Sequence, residues 1–212
     1  TETWRPGWLS ECCDGITRDN LPIGHIPVRA IGDLAGRRLD DWQIIIGTIR
    51  NPFAQQVSQY EFWRTRGRKR KQEGKNLHPC DRLCLECSFA EFVAHPWSDG
   101  SYFVKDESGG VDWRGSGGVY RWWLVDGCGQ VPSNVSIVKL EEIAERLPAL
   151  VEPFAARTIP PVPRENRIGK ADAWRDYYDA ATARVVAQKF RWSLVTQYPE
   201  LLVFPTEIDL TP

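Results

Sequence analysis

The sequence of 212 residues contains no methionine, carries a net charge of only −1 and has no long apolar run. No stretch approaches the ~18 apolar residues that a membrane-spanning helix requires. The N-terminal region also lacks a basic start followed by an apolar stretch, so no secretory signal peptide is predicted. The near-neutral charge excludes a generally basic nucleic-acid-binding protein, although it allows a local basic patch.

The absence of methionine extends to the first position, which is Thr1. We therefore expect either that the chain was processed or that a further segment precedes Thr1. Without a targeting signal a cytoplasmic location is favoured. The Golgi lumen is the alternative if a preceding segment carries a membrane anchor.

The composition is typical of a globular protein, with 42% hydrophobic and 26% charged residues. Residues 42–49 (WQIIIGTI) form a β-branched run without alternation, which is typical of a parallel strand buried on both faces. A second such run covers 135–140, and helical patterns follow the two runs, at 52–66 and 141–152. This rhythm predicts an α/β fold with a parallel sheet. Since no repeat or linker interrupts it, we expect a single domain, 1–212.

Other segments carry weaker local patterns. Pro27 at a first-turn position predicts a helix over 27–34, and a capping box opens a short helix at 88–94. Residues 171–192 predict one long amphipathic helix, with Trp174 on its buried side. Residues 64–76 (RTRGRKRKQEGKN) predict a charged, glycine-interrupted loop.

The segment after the first strand is the first candidate for a functional site, because ligands of open α/β sheets bind beyond the carboxyl ends of the strands. Arg50 stands at the end of that strand, and Ser58 lies in the helix that follows. A planar guanidinium and a short hydroxyl group are together suited to a phosphate. The pattern therefore predicts an anion site.

This segment resembles the 3′-phosphate-binding motif R-x-P-x-x-R-x-x-S of sulfotransferases that use 3′-phosphoadenosine 5′-phosphosulfate (PAPS). Arg50, Pro52 and Ser58 match the motif, whereas Gln55 stands where the family often has a second Arg, which weakens phosphate binding without abolishing a donor. Further segments resemble, in the same order, elements of the carbohydrate-type branch, which includes heparan and chondroitin 2-O-sulfotransferases. They are Gly24–Pro27, Ser88–Phe92, Ile137–Glu141, Asn166, Trp174–Tyr178 and Gln197–Tyr198.

The resemblance implies a P-loop-NTPase-like three-layer sandwich with a central parallel sheet, and transfer of a sulfuryl group from PAPS to a hydroxyl of a saccharide acceptor. It implies that His25 is the general base, a role that suits an imidazole. It also implies that the 3′-phosphate is bound by Arg50, Ser58 and Gln55, and by a later basic loop with Arg164, Arg167 and Lys170.

One element of that family is missing from the sequence. The family begins with a strand and a loop like Pro-Lys-Thr-Gly-Gly-Thr-Ser, whose backbone amides and Lys hold the 5′-phosphosulfate. No such loop occurs in the chain. We therefore expect either that the chain is cut near this loop or that it is an inactive relative that kept the fold as a binding or structural protein.

Two charged features allow more than one interpretation. The basic run at 64–71 indicates contact with an anionic acceptor or with a nucleic-acid backbone, or else a solvated loop. Because the run has no interleaved aromatic residue, a single-strand nucleic-acid platform is disfavoured, and a nucleic-acid-binding module that uses 64–71 is the less favoured alternative function. Glu141, at the end of the second strand, is either a catalytic group or an anchor for a helix start or a neighbouring loop.

The cysteine spacing is equally open. Cys80, Cys84 and Cys87 lie close together in sequence, and zinc could be held by them with His78 or Cys128. A disulfide-tied loop and plain reduced thiols are the alternatives, and we predict no metal.

Overall fold

The computed structural model describes Val28, Ile31 and residues 38–99, 119–154 and 173–204. The strands are β1 (Ile45–Ile49) and β2 (Val135–Lys139), and the main helices are α1 (Pro52–Gln72), α2 (Pro79–Glu86), α3 (Phe89–Ala94), α4 (Val119–Leu124), α5 (Ile143–Val151), α6 (Ala180–Lys189) and α7 (Arg191–Gln197). Short 3-10 helices cover Leu39–Asp41, Pro96–Asp99, Leu140–Glu142, Glu152–Phe154, Ala173–Tyr177 and Pro199–Leu201. Val28 and Ile31 are also helical. No helix in this part of the chain is both long enough and apolar enough to cross a bilayer.

Strands β1 and β2 pair in parallel, with Ile45 opposite Val135 and Ile49 opposite Lys139. The side chains of Ile49 and Val138 are almost fully buried, whereas Ile46 is half-buried and Thr48 is exposed, so the predicted burial of β1 on both faces is seen only in part. The α/β architecture with parallel pairing is thus confirmed for the described residues, in which the sheet has two strands. Both strands end at the same edge.

Helix α4 crosses β1 closely, and a glycine makes this approach possible. A Cβ atom on Gly47 would lie 2.2 Å from Cδ2 of Leu124. Tyr120, one turn before Leu124, is thereby placed at the end of β1, where its hydroxyl lies 3.1 Å from the backbone nitrogen of Arg50.

Helix α1 begins directly after β1. Asn51 is its N-cap, since its side-chain oxygen accepts hydrogen bonds from the backbone N–H groups of Phe53 and Ala54, and Pro52 occupies the first turn. The buried positions then recur at three- and four-residue spacing: Phe53, Gln56, Tyr60, Trp63 and Gly67.

The prediction of a loop over 64–76 is wrong for most of its length. Helix α1 continues to Gln72, because Arg, Lys and Gln are good helix formers and Gly67 is buried against α2 instead of breaking the helix. The chain leaves the helix at Gly74, whose φ of +65° suits a residue without a Cβ atom.

Helix α2 packs against the second half of α1, and a buried carboxylate joins the two. Asp81 is fully buried and accepts a hydrogen bond from Nε of Arg66 at 2.8 Å, while Nε of Arg70 lies 3.8 Å from its other oxygen. Burial by itself would raise the pKa of Asp81, but the hydrogen bonds from Arg66 and from the backbone N–H of His78 lower it below its usual range. The ionised form of Asp81 is therefore the one that the fold stabilises.

The single long helix predicted over 171–192 is also wrong. The described part of this region contains the 3-10 helix Ala173–Tyr177 and the separate helices α6 and α7. Asp179 starts α6 by accepting the backbone N–H of Thr182 at 2.7 Å. Phe190, with φ −112° and ψ 26°, separates α6 from α7 and buries its ring completely.

The core is centred on Phe53. Its ring stacks on Trp174 at a centroid distance of 5.7 Å and meets Tyr178 and Phe204 edge-on at 5.3 and 5.2 Å. The hydroxyl of Tyr178 also donates to the backbone oxygen of Phe53 at 2.9 Å. These contacts attach the start of α1 to the C-terminal part of the described chain.

The close packing at Gly67 can be tested directly. Gly67→Val should lower the free energy of unfolding by about 1–3 kcal/mol, because an added Cβ would lie 3.0 Å from Leu85 Cδ1 and 3.1 Å from Asp81 Cβ. Urea unfolding followed by circular dichroism measures the change. Gly127→Val is the matched control, since a Cβ there meets no atom within 4 Å. Equal stabilities of the two variants would contradict the packing of α1 on α2.

Candidate functional site

The candidate site lies at the edge where both parallel strands end. Arg50 and Asn51 are the first two residues after β1. Glu141 is the second residue after β2, so its position corresponds to that of Asn51. Because Ile49 pairs with Lys139, the two exits are adjacent in space. The backbone nitrogen of Asn51 donates to Oε1 of Glu141 at 2.9 Å.

Asn51 already satisfies the first backbone donors of α1. Its side-chain oxygen accepts from Phe53 at 2.9 Å and from Ala54 at 3.3 Å, and its backbone oxygen accepts from Gln55 at 2.9 Å. An anion therefore cannot use these amides while Asn51 keeps this conformation. Side chains near the helix start must supply the donors.

Arg50 is a cation at this edge. Its backbone N–H is bound by Tyr120, but within the described ranges its guanidinium has no ion pair and no hydrogen bond. Burial, opposed in part by the nearby Arg50, raises the pKa of Tyr120 well above its usual range, so the phenol stays protonated. Arg50 thus has five donor hydrogens for a ligand.

Gln55 and Ser58 follow Arg50 on α1 and share one face with Asn51, opposite the face buried in the core. Both are half-buried, and Ser58 makes no hydrogen bond with the described residues. The Oε1 atom of Gln55 is buried without a hydrogen-bond partner in the same part of the chain. Ser58 is about 9 Å along the helix axis from Pro52, so Arg50 and Ser58 can share one ligand only if the arginine extends along the helix.

Glu141 binds two distant elements at once. Its Oε1 atom accepts a hydrogen bond from the backbone N–H of Asn51, and its Oε2 atom accepts one from the Tyr198 hydroxyl at 2.8 Å. Burial first, and then the charge of Glu141, raises the pKa of Tyr198 far above its usual range. Nζ of Lys139 lies 4.6 Å from the centre of the Tyr198 ring. Of the two interpretations of Glu141, these contacts favour the anchor.

Sequence reasoning identified Arg50, Gln55, Ser58 and Glu141 in this region but missed the two tyrosines. No sequence motif singled out Tyr120. Tyr198 belonged to the C-terminal segment of the sulfotransferase resemblance, although nothing in the sequence connected it with Glu141.

The remaining predicted site residues lie outside the described residues. They are His25, Arg164, Arg167 and Lys170. Their predicted roles stay predictions.

The basic run is helical and is partly engaged within the fold. Arg66 and Arg70 face Asp81, and Arg66 also covers the Trp63 ring at 4.1 Å. Arg64 lies 3.5 Å from Glu61. These contacts weaken the interpretation of the run as a continuous polyanion-binding segment.

Of the cysteines near this helix, Cys80 and Cys84 are buried and Cys87 is half-buried. Burial raises the pKa of Cys80 to about 11 and that of Cys84 to about 12, which disfavours the thiolate that a metal binds. In the structure Cys80, Cys84, Cys87 and Cys128 are free thiols. Across 38–99, 119–154 and 173–204, no group of three His, Cys, Asp or Glu residues is arranged to hold a metal ion.

Comparison of the chain with protein-family models, with curated proteins and with solved structures gives no match.

We expect the free energy of unfolding to depend on pH through His78, the N-cap residue of α2. Its Nδ1 accepts the backbone N–H of Cys80 at 3.3 Å, and burial, then Arg66, lowers its pKa below the usual value. The unfolded chain therefore takes up the proton first, so the contribution of His78 to stability is lost as the pH falls below about 6.5.

His78→Asn keeps a side-chain acceptor at this N-cap but removes the titration. We expect the variant to lose less stability than the wild type between pH 7.5 and 5.5, as measured by urea unfolding. Measurements at pH 8, where both side chains are neutral, provide the reference. Parallel pH profiles of the two proteins would contradict the role of Nδ1.

Proposed function

We propose that this chain is a PAPS-dependent sulfotransferase of the carbohydrate type, which transfers a sulfuryl group to a hydroxyl of a saccharide. In this proposal the chain folds as a P-loop-like three-layer sandwich, in which β1 and β2 are two of the central strands. The proposal also includes a cytoplasmic location, with the Golgi lumen as the alternative.

A single observation carries the proposal. Arg50 stands directly beyond a buried parallel strand, both peptide groups around it are held, and its guanidinium has no partner within the described ranges. A cation that is positioned without a protein partner is suited to an anionic ligand. The match of Arg50, Pro52 and Ser58 to the sulfotransferase motif supports the 3′-phosphate of the donor nucleotide as that anion.

The described residues fit this phosphate in part. Arg50 can bind two phosphate oxygens in a fork, and Ser58 can donate a third hydrogen bond. In the proposal the NH₂ group of Gln55 is a further donor, while its Oε1 atom is buried without a partner among the described residues. In the proposal, Arg164, Arg167 and Lys170 complete the site.

The reaction is a direct displacement at sulfur. The donor supplies the sulfuryl group, and 3′-phosphoadenosine 5′-phosphate leaves with the electrons of the broken S–O bond. His25 takes the proton of the acceptor hydroxyl as the new O–S bond forms. The cationic residues hold the nucleotide in position, by analogy with phosphoryl transfer.

Nucleotide binding tests the assignment of Arg50. The wild type should bind 3′-phosphoadenosine 5′-phosphate more tightly than 5′-AMP in calorimetric titrations. Arg50→Ala should weaken binding of the bisphosphate by about 10- to 150-fold, the equivalent of charge-assisted hydrogen bonds. Arg50→Lys should recover only part of the affinity, because an ammonium lacks the fork.

Arg68→Ala is the matched control, since Arg68 is an exposed arginine near the other end of α1. It should leave the affinity unchanged. A wild type that does not distinguish the two nucleotides would overturn the proposed function, and an Arg50→Ala variant with full affinity would overturn the assignment of Arg50.

The rate of sulfuryl transfer tests the assignment of His25 as the general base. His25→Ala should retain nucleotide binding while the rate of sulfated product formation falls by about 100- to 10,000-fold, the usual contribution of a general base. Transfer of labelled sulfate from PAPS to a panel of saccharides measures it. A fully active variant would assign the base to another residue.

A further inference from the structure

The two peptide groups on either side of the Arg50 Cα atom are both held by side chains from distant elements. The N–H of Arg50 is bound by the Tyr120 hydroxyl at 3.1 Å, and the N–H of Asn51 by Oε1 of Glu141 at 2.9 Å. Since these groups define the backbone on both sides of Arg50, they set the direction of its Cα–Cβ bond. The guanidinium itself has no partner in the described ranges that could do so.

Glu141 connects this backbone to the C-terminal helices. Its second oxygen accepts the hydroxyl of Tyr198, which lies just after α7 and is 3% exposed. The carboxylate therefore bridges the start of α1 and the end of α7 with one hydrogen bond from each oxygen. Bonds to an ionised acceptor are stronger and more directional than those to a neutral one.

We propose that Glu141 is a positioning residue, which orients Arg50 for the 3′-phosphate and couples this site to the C-terminal helices through Tyr198. This inference rests on the proposed function. It adds a residue that does not contact the nucleotide but determines where the guanidinium lies.

Because Glu141 is charged, the direction in which ligand affinity changes on its removal tests the proposal. A carboxylate next to an anion site repels the ligand, so if Glu141 acted through its charge alone, its removal would strengthen binding. If it acts by positioning Arg50, its removal weakens binding. The two roles thus predict opposite changes in the same measurement.

The experiment is a calorimetric titration of full-length variants with 3′-phosphoadenosine 5′-phosphate, with 5′-AMP as the reference ligand. We expect Glu141→Ala to lower the affinity for the bisphosphate about 5- to 30-fold, while the weaker affinity for 5′-AMP changes less. Glu141→Gln keeps a carbonyl oxygen for the Asn51 amide and removes the charge, so it should bind close to the wild-type level.

Glu142→Ala is the matched control. It removes the same charge from the neighbouring residue, whose carboxylate lies 3.8 Å from Lys139 and 3.5 Å from Arg146 and does not contact Asn51. Tyr198→Phe is a milder variant in case Glu141→Ala fails to fold. It removes only the hydroxyl, and we expect a smaller loss of affinity in the same direction.

The outcomes separate the two proposals. A wild type without a preference for the 3′-phosphate overturns the proposed function, and the positioning role with it. The positioning role alone is overturned if the wild type has that preference but Glu141→Ala and Glu142→Ala both bind the bisphosphate as tightly as the wild type or more tightly. Rescue by Glu141→Gln and a partial loss in Tyr198→Phe would support it.

Discussion

The parallel pairing of β1 with β2 is the constraint on which the candidate site depends. It places Ile49 opposite Lys139, so the chain leaves both strands at the same point. Asn51 and Glu141, which are 90 residues apart in sequence, can therefore share a hydrogen bond. Without this register the start of α1 would lose its acceptor, and Arg50 would no longer have a defined direction.

Helix α1 connects this edge of the sheet with the rest of the described chain. Near its start, Phe53 packs among Trp174, Tyr178 and Phe204. Near its end, Arg66 and Arg70 hold the buried carboxylate of Asp81 on α2. The same helix thus carries the proposed phosphate ligands at one end and structural ion pairs at the other.

This division explains how cations within α1 and just before it can have different roles. Arg66 and Arg70 both face the carboxylate of Asp81, which would be costly to leave buried without a cation. Arg50 has no such counter-charge in the described ranges, although Tyr120 and Glu141 hold its backbone. The fold therefore holds the backbone of Arg50 in place, and the guanidinium remains available to bind an anionic ligand.

Local patterns in the sequence were sufficient for several elements. The β-branched runs predicted the two parallel strands, and the capping box at Ser88 predicted the start of α3. The motif placed Arg50 at a strand end and Ser58 on the helix that follows. The basic stretch and the C-terminal helix were misjudged, because burial of Gly67 against Asp81 and of Phe190 in the core involves partners far away in sequence.

The amino-acid sequence by itself determined the two strands, the helix that follows each of them and the cation after the first strand, because these follow from nearest-neighbour patterns of side chains. Only the tertiary structure decided that Tyr120, Glu141 and Tyr198 meet around Arg50 and Asn51. The contacts between them span 57 to 90 residues of sequence. Such contacts arise from strand pairing and helix packing, which no local pattern encodes.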